Sequence, residues 1–524
     1  MRNTYRVILS IAFALLACFN KTVAQQYPDF YFTYQSPDFQ SPDGGVALEL
    51  DDGCILVAVF EYDQEWAAYE NDWTAPAKIL KLSPTGTLLG ELTFGCEGRR
   101  STIAGIYRDP NDENMYVAMG KIHDNTMHID QPLFVKFDLD FNIVSQKEIE
   151  LPEEYRCFFY RSKSIMDTQG DIVYLTIPYQ WNDGNPTFHH RTYMRISPDG
   201  DLLALSEDEG QGGNNRLDIG SLFVFQDKSG DYGHAVPFYD YNNNMVLRLN
   251  RDLEIIGHQN VPYRIPTSPD PEYDLYLLEM GLSTALSQPD SSLVIICEGR
   301  ESFMNPKYET DVVLMRIGQD GNLDNVLING FVNDSVEAPS YLRGVDRMGD
   351  ILYFCNGNYK VDSYGSGYIE GASGITVTKT NSSLDLIWQR FFQFNKKYRP
   401  LCVTATTNGC LITGCVTDSD GNMDSYNMFA FQVLSDGTVS IPESEAYVRP
   451  YLFYPNPAQD QLHLQYSPDV QPKEIELYDL QGRLVRTQTK NLENLSLQGL
   501  PAGTYTMRVT LEDGKVYSDK VVKE

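Results

Sequence analysis

"DVVLMRIGQDGNLDNVLINGF" (residues 311–331) contains two apolar stretches separated by a short turn, and a single arginine interrupts the first stretch. Apolar runs of this length that are bounded by turn residues predict β-strands. The stretch therefore predicts a pair of strands with a tight turn between them, and similar stretches occur elsewhere in the chain.

This pattern of apolar strand, basic residue, apolar residue and turn occurs seven times. The third copy ends in Ser-Pro-Asp-Gly (197–200), where proline fixes φ and glycine supplies a positive φ. Because the basic residue recurs from copy to copy, we interpret it as structural. It is Lys81, Lys136, Arg195, Arg248, Arg316 and Lys379, with Gln432 in the last copy.

A second apolar run, usually led by glycine, precedes each copy. The seven runs begin at residues 53, 113, 170, 230, 291, 349 and 409, so that the period is 57 to 61 residues. Each period reads as four strands, and continuously apolar second strands are typical of sheets buried on both faces. The sequence predicts an all-β fold with a seven-bladed β-propeller at 25–445, and residues 29–35 as an outer strand that closes the ring. A solenoid and two packed sandwiches are the alternatives.

The N-terminal 24 residues resemble a secretory signal peptide. Arg2 and Arg6 precede an apolar run, and Thr22-Val23-Ala24 supplies small residues before the expected cleavage point. A lipoprotein signal that places a lipid on Cys18 is the alternative. No later stretch has 18 consecutive apolar residues, so we expect no membrane-spanning helix.

The formal net charge is −31, with 72 acidic and 41 basic residues. Nucleic-acid binding requires a basic surface, so this composition argues against a nucleic-acid partner. It also disfavours direct binding to anionic lipid surfaces and favours solubility and cation binding.

The repeats resemble the delta-60 family of propeller repeats, with residues 311–331 as the closest copy. The similarity extends over about 400 residues in degenerate form and implies a fold rather than an activity.

A different composition begins near Tyr451, and the final segment predicts a small Ig-like β-sandwich at 446–524. It resembles the C-terminal sorting domain of type IX secretion (Por) cargo in Bacteroidetes. The resemblance rests on the "YPNP" and "LYDLQGRLV" motifs, on "LPAGTY" and on the basic tail; the motif residues are Pro455, Asn456, Pro457, Gly482, Gly503 and Tyr505. We expect a Cβ to clash at Gly503 and Tyr505 to pack the sandwich.

That resemblance implies export through the outer membrane, with the type IX machinery and its sortase as partners. The sortase is expected to remove the C-terminal domain. The remaining body is then attached to surface lipopolysaccharide, which would be its only membrane association, or released outside the cell.

Long loops are expected on one face of the propeller, at 61–77, 121–131, 179–191, 300–310 and 358–374, and short turns on the other. Loops on a rigid scaffold often carry binding residues. Aromatic rings stack on sugars or anchor a protein partner, although they also simply pack loops onto strands. The candidate ligand-binding residues are Trp66, Trp73, Trp181, Tyr359 and Tyr364.

Two groups of residues are candidate metal ligands. Alternating oxygen ligands in "TDSDGNMDSYN" (417–427) suit Ca²⁺, but the glycine position and the missing last glutamate differ from an EF-hand. The candidate calcium ligands are Asp418, Asp420, Asn422 and Asp424. Imidazoles from neighbouring loops suit a transition metal instead. This alternative set is His123, His128, His189 and His190.

The chain contains none of the G-x-S-x-G, H-E-x-x-H, P-loop or Rossmann motifs. The sequence therefore favours a non-enzymatic module that binds a glycan or a surface protein through the long-loop face. A polysaccharide hydrolase or lyase with paired loop carboxylates is the alternative. A purely structural envelope component is a third hypothesis.

Overall fold

A computed structural model shows an all-β protein, as the sequence predicts. Within the described residues the only helical element is a 3-10 turn at Glu153–Tyr155. No helix in that part of the chain is long and apolar enough to cross a membrane. The described residues are 30–35, 43–60, 75–95, 99–124, 129–155, 158–182, 185–188, 191–208, 223–227, 229–236, 244–261, 264–265, 275–277, 284–300, 311–319, 321–329, 335–340, 342–360, 372–417, 426–439, 446–456, 458–467, 470–479 and 483–524.

Strands occupy most of these residues. The repeat region contains β1 (Tyr31–Tyr34), β2 (Asp43–Glu49), β3 (Ile55–Phe60), β4 (Ala77–Leu82), β5 (Leu88–Phe94), β6 (Arg100–Arg108), β7 (Met115–Asp124), β8 (Ile129–Asp138), β9 (Ile143–Glu148), β10 (Phe158–Met166), β11 (Ile172–Asn182), β12 (Asn185–Phe188), β13 (Arg191–Ile196), β14 (Leu202–Asp208), β15 (Phe223–Gln226), β16 (Tyr232–Val236), β17 (Asn244–Leu249), β18 (Ile255–Val261), β19 (Arg264–Ile265), β20 (Leu275–Leu277), β21 (Thr284–Ser287), β22 (Leu293–Arg300), β23 (Asp311–Ile317), β24 (Leu323–Asn329), β25 (Ser335–Pro339), β26 (Val345–Met348), β27 (Ile351–Lys360), β28 (Ala372–Asn381), β29 (Leu386–Thr406), β30 (Gly409–Thr417) and β31 (Tyr426–Leu434). The strand β32 (Ala446–Arg449) follows it and opens the C-terminal region. The C-terminal region contains β33 (Tyr451–Tyr454), β34 (Gln461–Tyr466), β35 (Pro472–Tyr478), β36 (Leu484–Gln488), β37 (Asn494–Ser496), β38 (Gly503–Leu511) and β39 (Val516–Lys523).

The strands pair antiparallel with their neighbours in the chain. The first two sheets have the simple orders β2-β3-β4-β5 and β6-β7-β8-β9. The next three centre on β11, β16 and β22, and the last is a nine-stranded sheet that runs from β25 to β31 and β1. In that last sheet the first half of β29 pairs with β28 and its second half with β30, so one long strand links two groups of strands.

The glycine-led runs form the second strand of their groups, and the basic-residue stretches form the third, as the repeat pattern predicts. The residue before each second strand often needs a left-handed backbone, which glycine adopts without steric cost. Gly170 has φ of +89° there, and Ser291, the corresponding residue of a later repeat, has φ of +67°.

Consecutive sheets bury their apolar faces against each other. Val117 and Phe134 of the second sheet share a core with Tyr174 and Met194 of the third, and all four are fully buried. The last strands also contact the first sheet, because the Thr413 hydroxyl donates to the Gly45 carbonyl at 2.7 Å. The cores therefore lie between sheets, which leaves the strand ends for loops and turns.

The N-terminal strand β1 pairs with β31, in the register Tyr31 with Phe431 through Tyr34 with Met428. This pairing confirms that the segment supplies a strand, at Tyr31–Tyr34, while the closure of a ring stays a prediction. The first described strand thus belongs to the last sheet of the repeat region.

Several of the repeated basic residues reach the turn of the following repeat. Lys136 pairs with the buried Asp109 in its own sheet and lies 3.3 Å from Asp199 in the next. Lys379 donates to the Ser435 carbonyl at 2.7 Å. Lys81 and Arg195 donate in the same way to backbone carbonyls of the next turn. These contacts confirm the structural interpretation of the repeated basic residue.

A short segment around Leu342, between β25 and β26, connects distant sheets. The Leu342 backbone N–H donates to the Leu401 carbonyl at 2.7 Å, and the Lys163 ammonium of the third sheet donates to the Leu342 carbonyl. Leu342 itself packs against the core shared by the first two sheets. The segment therefore joins strands that are far apart in sequence.

The C-terminal strands form two smaller sheets, β33-β34-β37 and β36-β35-β38-β39. Leu462 of the first and Met507 of the second are fully buried in one common core. Two sheets facing a shared core form a sandwich, as the sequence predicts.

Replacing Gly200 by alanine is expected to lower the free energy of unfolding by about 1 to 2 kcal/mol more than the same change at Gly349. Both glycines have positive φ, +81° and +59°. A Cβ at Gly200 would lie 2.6 Å from Phe134 Cδ1, whereas a Cβ at Gly349 would meet nothing within 4 Å. The difference between the two variants in urea unfolding measures the steric cost alone. Equal losses of unfolding free energy would contradict this packing.

Candidate functional site

Most of the residues singled out for ligand or metal binding lie outside the described residues. This applies to the tryptophans at 66 and 73, to Tyr364, to the calcium candidates Asp418, Asp420, Asn422 and Asp424, and to His128, His189 and His190. The binding roles assigned to them stay predictions.

Part of the third long loop, 179–191, is a β-hairpin rather than irregular chain. β11 continues to Asn182, and β12 folds back on it so that Trp181 pairs with Pro186. The expectation of a loop is corrected here, because the antiparallel pairing of β11 with β12 continues from Tyr179 to Asn182. The backbone of Trp181 is thereby held on the end of a sheet.

Tyr359 lies in strand β27 and not in the loop predicted at 358–374. Its side chain is only 5% exposed. Burial raises the pKa of the Tyr359 phenol, and the nearby Arg399 partly opposes that shift. The expectation that Tyr359 is an exposed loop ring is corrected: the apolar strand "ILYFCNGNY" extends further than the turn signals indicated.

His123 forms part of a buried charged cluster that we call the Asp130 cluster, consisting of Lys121, His123 and Asp130. Asp130 is completely buried, and its two carboxylate oxygens lie 2.8 Å from Lys121 Nζ and 2.7 Å from His123 Nδ1. β7 and β8 pair His123 directly with Asp130, and Lys121 lies two residues earlier on the same face. The hairpin geometry thus brings the three side chains together.

Electrostatics in the Asp130 cluster favour the ion pair. Burial by itself raises the pKa of Asp130, but the charge of Lys121 and the hydrogen bond from His123 more than offset it and hold that pKa below its usual range. Burial lowers the pKa of Lys121, and Asp130 opposes this shift. The ionised Asp130 carboxylate therefore binds both other members of the cluster.

The cluster does not resemble a metal centre. Among the described residues no three or more His, Cys, Asp or Glu side chains are grouped to hold an ion. His123 contacts a carboxylate that also pairs with an ammonium, and a cationic neighbour disfavours a bound metal ion. The four-histidine hypothesis as a whole rests on residues outside the described part of the chain.

A second buried polar group lies in sheets later in the chain, at the same end of the sheets as the Asp130 cluster. Glu337 is completely buried and accepts a hydrogen bond from Asn358 Nδ2 at 3.2 Å, and the Thr376 hydroxyl donates to Asn358 Oδ1 at 3.0 Å. Glu298 of the preceding sheet is 8% exposed and is close enough to influence the pKa of Tyr359. Carboxylates held in this way can bind polar ligands or transfer protons.

Sequence reasoning missed Lys121, Asp130, Glu298 and Glu337. Each is a charged residue within or beside an apolar run, as in "MGKIHD" and "IICEG". Charged residues are seldom fully buried unless paired, so a charge inside a strand predicted to be buried was an available signal. The partner, however, depends on strand register.

Two motif residues of the C-terminal domain, Asn456 and Tyr505, make hydrogen bonds within the sandwich. Asn456 bridges to the last strand, accepting from Val522 N at 2.7 Å and donating to the Lys520 carbonyl at 3.0 Å. Tyr505 is 5% exposed and donates to the Pro501 carbonyl at 2.6 Å, which confirms its packing role. Pro455 follows Tyr454 in β33, while Pro457 and Gly482 lie outside the described residues.

The expected clash at Gly503 is wrong. A Cβ there would meet nothing within 4 Å, but φ is +155°, a conformation that L-residues rarely adopt. Backbone conformation, and not crowding, requires glycine at this position.

Residues 452–524 match the family model of the secretion system C-terminal sorting domain. This match supports the identification of a type IX sorting domain, which implies handling by the type IX machinery and export across the outer membrane to the cell surface or beyond. No curated protein matches the chain.

Several solved structures are similar to the chain at low identity. A protein of unknown function from Bacteroides caccae is 10% identical, with 61% of this chain and 91% of that chain covered and a TM-score of 0.33. An alpha-L-arabinanase from Penicillium chrysogenum, complexed with arabinobiose, is 10% identical, with 68% and 98% covered and a TM-score of 0.38. An acylaminoacyl peptidase from Pyrococcus horikoshii is 8% identical, with 84% and 60% covered and a TM-score of 0.40. This chain thus spans less than two thirds of that peptidase.

Proposed function

We propose that residues 25–445 form a closed seven-bladed β-propeller that binds a glycan or a protein through its loop-bearing face. The seven repeats and the contact of Thr413 with Gly45 support a closed ring. In this proposal the type IX system exports the chain, a sortase removes the C-terminal domain, and the body stays on surface lipopolysaccharide or leaves the cell.

The observation that carries the binding proposal is the contrast between the two ends of the sheets. At the loop-bearing end, the Asp130 cluster and Glu337 are ionisable groups held inside the protein. At the other end, tight turns such as Ser197–Gly200 are fastened to neighbouring sheets by the repeated basic residues. The sequence of the loop-bearing end can therefore change without disturbing the sheets that support it, and such a surface suits binding.

A polysaccharide hydrolase or lyase is the second candidate function. The buried carboxylates Glu298 and Glu337, together with the pair of His123 and Asp130, are the kinds of groups that serve as general acid and base. The proposal includes calcium at residues 418–424 as an aid to ligand binding.

The test uses the chain from residue 25 to 524 on a panel of host and dietary polysaccharides, first with calcium and then with a chelator. We expect retention without release of reducing ends. The double change Trp66→Ala and Trp73→Ala is expected to weaken retention about 30-fold or more, because a few aromatic side chains that contact the ligand usually dominate the binding energy.

The matched control is Leu89→Ala with Val144→Ala, which removes apolar side chains that are 55% and 57% exposed on outer strands. Equal loss in both double variants would contradict the loop-face site. Reducing ends released by the unaltered chain would favour the enzyme. Retention that disappears in chelator would support the calcium site.

A further inference from the structure

The C-terminal domain is attached to the repeat region by more than its linker. Strand β32 pairs antiparallel with the first half of β29, in the register Phe391 with Arg449 through Phe394 with Ala446. β32 thereby covers an edge that β29 would otherwise leave open, and exposed edges readily accept another strand. The sandwich begins directly afterwards at Tyr451.

A serine of the sandwich makes a second contact. The Ser467 hydroxyl accepts from the Gln389 backbone N–H at 2.9 Å and from Arg390 Nη1 at 3.0 Å, and it donates to the Gln389 carbonyl. Ser467 is 5% exposed and Arg390 is 9% exposed. Three hydrogen bonds at one buried hydroxyl make this a specific contact.

The repeat region holds Arg390 in place independently of the sandwich. Its guanidinium lies 5.4 Å from the centre of the Trp388 ring, and Nη2 donates to the Asp436 carbonyl at 3.2 Å. Trp388 is fixed in turn by donation from its indole N–H to the Ser435 carbonyl at 2.9 Å. These contacts lie within the repeat region and restrict the Arg390 side chain, which lowers the entropic cost of the contact with Ser467.

We propose that residues 446–524 remain bound to the repeat region after the backbone is cut in the linker 440–445. The domain then behaves as a non-covalent subunit, and its departure requires the loss of the β29–β32 pairing and of the Ser467 contact. The inference rests on the proposed removal of the C-terminal domain, and it adds that the cut and the release are separate steps. Cutting removes the millimolar effective concentration that a short linker provides, so release depends on dilution.

The experiment places a protease recognition sequence in the linker 440–445 of the chain from residue 25 to 524. After cutting, size-exclusion chromatography at about 100 µM is expected to show both pieces in one peak, since interfaces between domains resemble transient protein complexes. Ser467→Ala leaves buried donors without their acceptor and is expected to raise the dissociation constant about tenfold.

Ser496→Ala is the matched control, because the Ser496 hydroxyl accepts only a 3.3 Å hydrogen bond from Gln498 N within the sandwich among its described contacts. A second variant replaces Ala446–Arg449 by Gly-Ser-Gly-Ser and tests the strand pairing without altering Ser467. Circular dichroism of each cut sample reports whether both pieces are folded.

Separate peaks of folded pieces from the unaltered chain would overturn the proposal. Equal dissociation constants for Ser467→Ala, the strand replacement and Ser496→Ala would overturn the assigned interface. The protease is added to purified protein, so the result is independent of export, sortase action and ligand binding.

Discussion

Replacing Asp130 by asparagine is expected to lower the free energy of unfolding by about 3 to 5 kcal/mol, because it leaves the Lys121 ammonium buried without its counter-ion. Asp130 is completely buried and contacts both Lys121 and His123. Asp140→Asn, at an exposed turn position of the same sheet, is the control and is expected to change stability by less than about 0.5 kcal/mol. Urea unfolding followed by tryptophan fluorescence measures both.

The same cluster predicts a pH dependence. The pKa of Asp130 is lower in the folded than in the unfolded chain, so the carboxylate contributes stability above its unfolded pKa of about 3.9. That contribution is lost as the pH falls through the lower, folded pKa. The acid-induced loss of stability is therefore expected to be smaller in Asp130→Asn than in the unaltered chain. An identical pH profile would show that the carboxylate is not paired as described.

Replacing Lys136 by methionine is expected to lower the free energy of unfolding by about 3 kcal/mol. The change keeps the length of the side chain but removes the cation that pairs with the fully buried Asp109 carboxylate and that lies 3.3 Å from Asp199 of the next sheet. The Asp109 hydrogen bond raises the pKa of Lys136, consistent with a stabilised ammonium.

Lys147→Met is the matched control, because Lys147 also pairs with this turn, 2.8 Å from Asp201, but both side chains are largely exposed. Exposed ion pairs contribute about 0 to 1 kcal/mol. If both lysine variants unfold at the same urea concentration, the repeated basic residue does not have the structural role assigned to it.

The strands of the repeat region were predictable because their signals are local. The turn in residues 197–200 and the glycine at 170 are indicated by local backbone preferences, and a buried second strand reads as a continuous apolar run. The C-terminal motifs were predictable for the same reason, apart from the expected crowding at Gly503. Strand ends were less reliable, as Tyr359 and the hairpin that contains Trp181 illustrate, because pairing can extend a strand beyond its turn residues.

The Asp130 cluster could not be predicted from local sequence signals. Its members were visible as charged residues beside apolar ones, but a shift of one residue in the pairing of β7 and β8 would place His123 and Asp130 on opposite faces. Register depends on the packing of whole sheets against each other. The candidate site was therefore only partly predictable.

The sequence by itself determined the strand positions, the repeat period and the C-terminal sorting domain, since each follows from short-range preferences of neighbouring residues. Only the tertiary structure decided which distant groups meet. Lys163 reaches the Leu342 carbonyl across 179 residues, and Ser467 meets Arg390 across 77. Such contacts depend on the summed geometry of many sheets, and no local pattern encodes that sum.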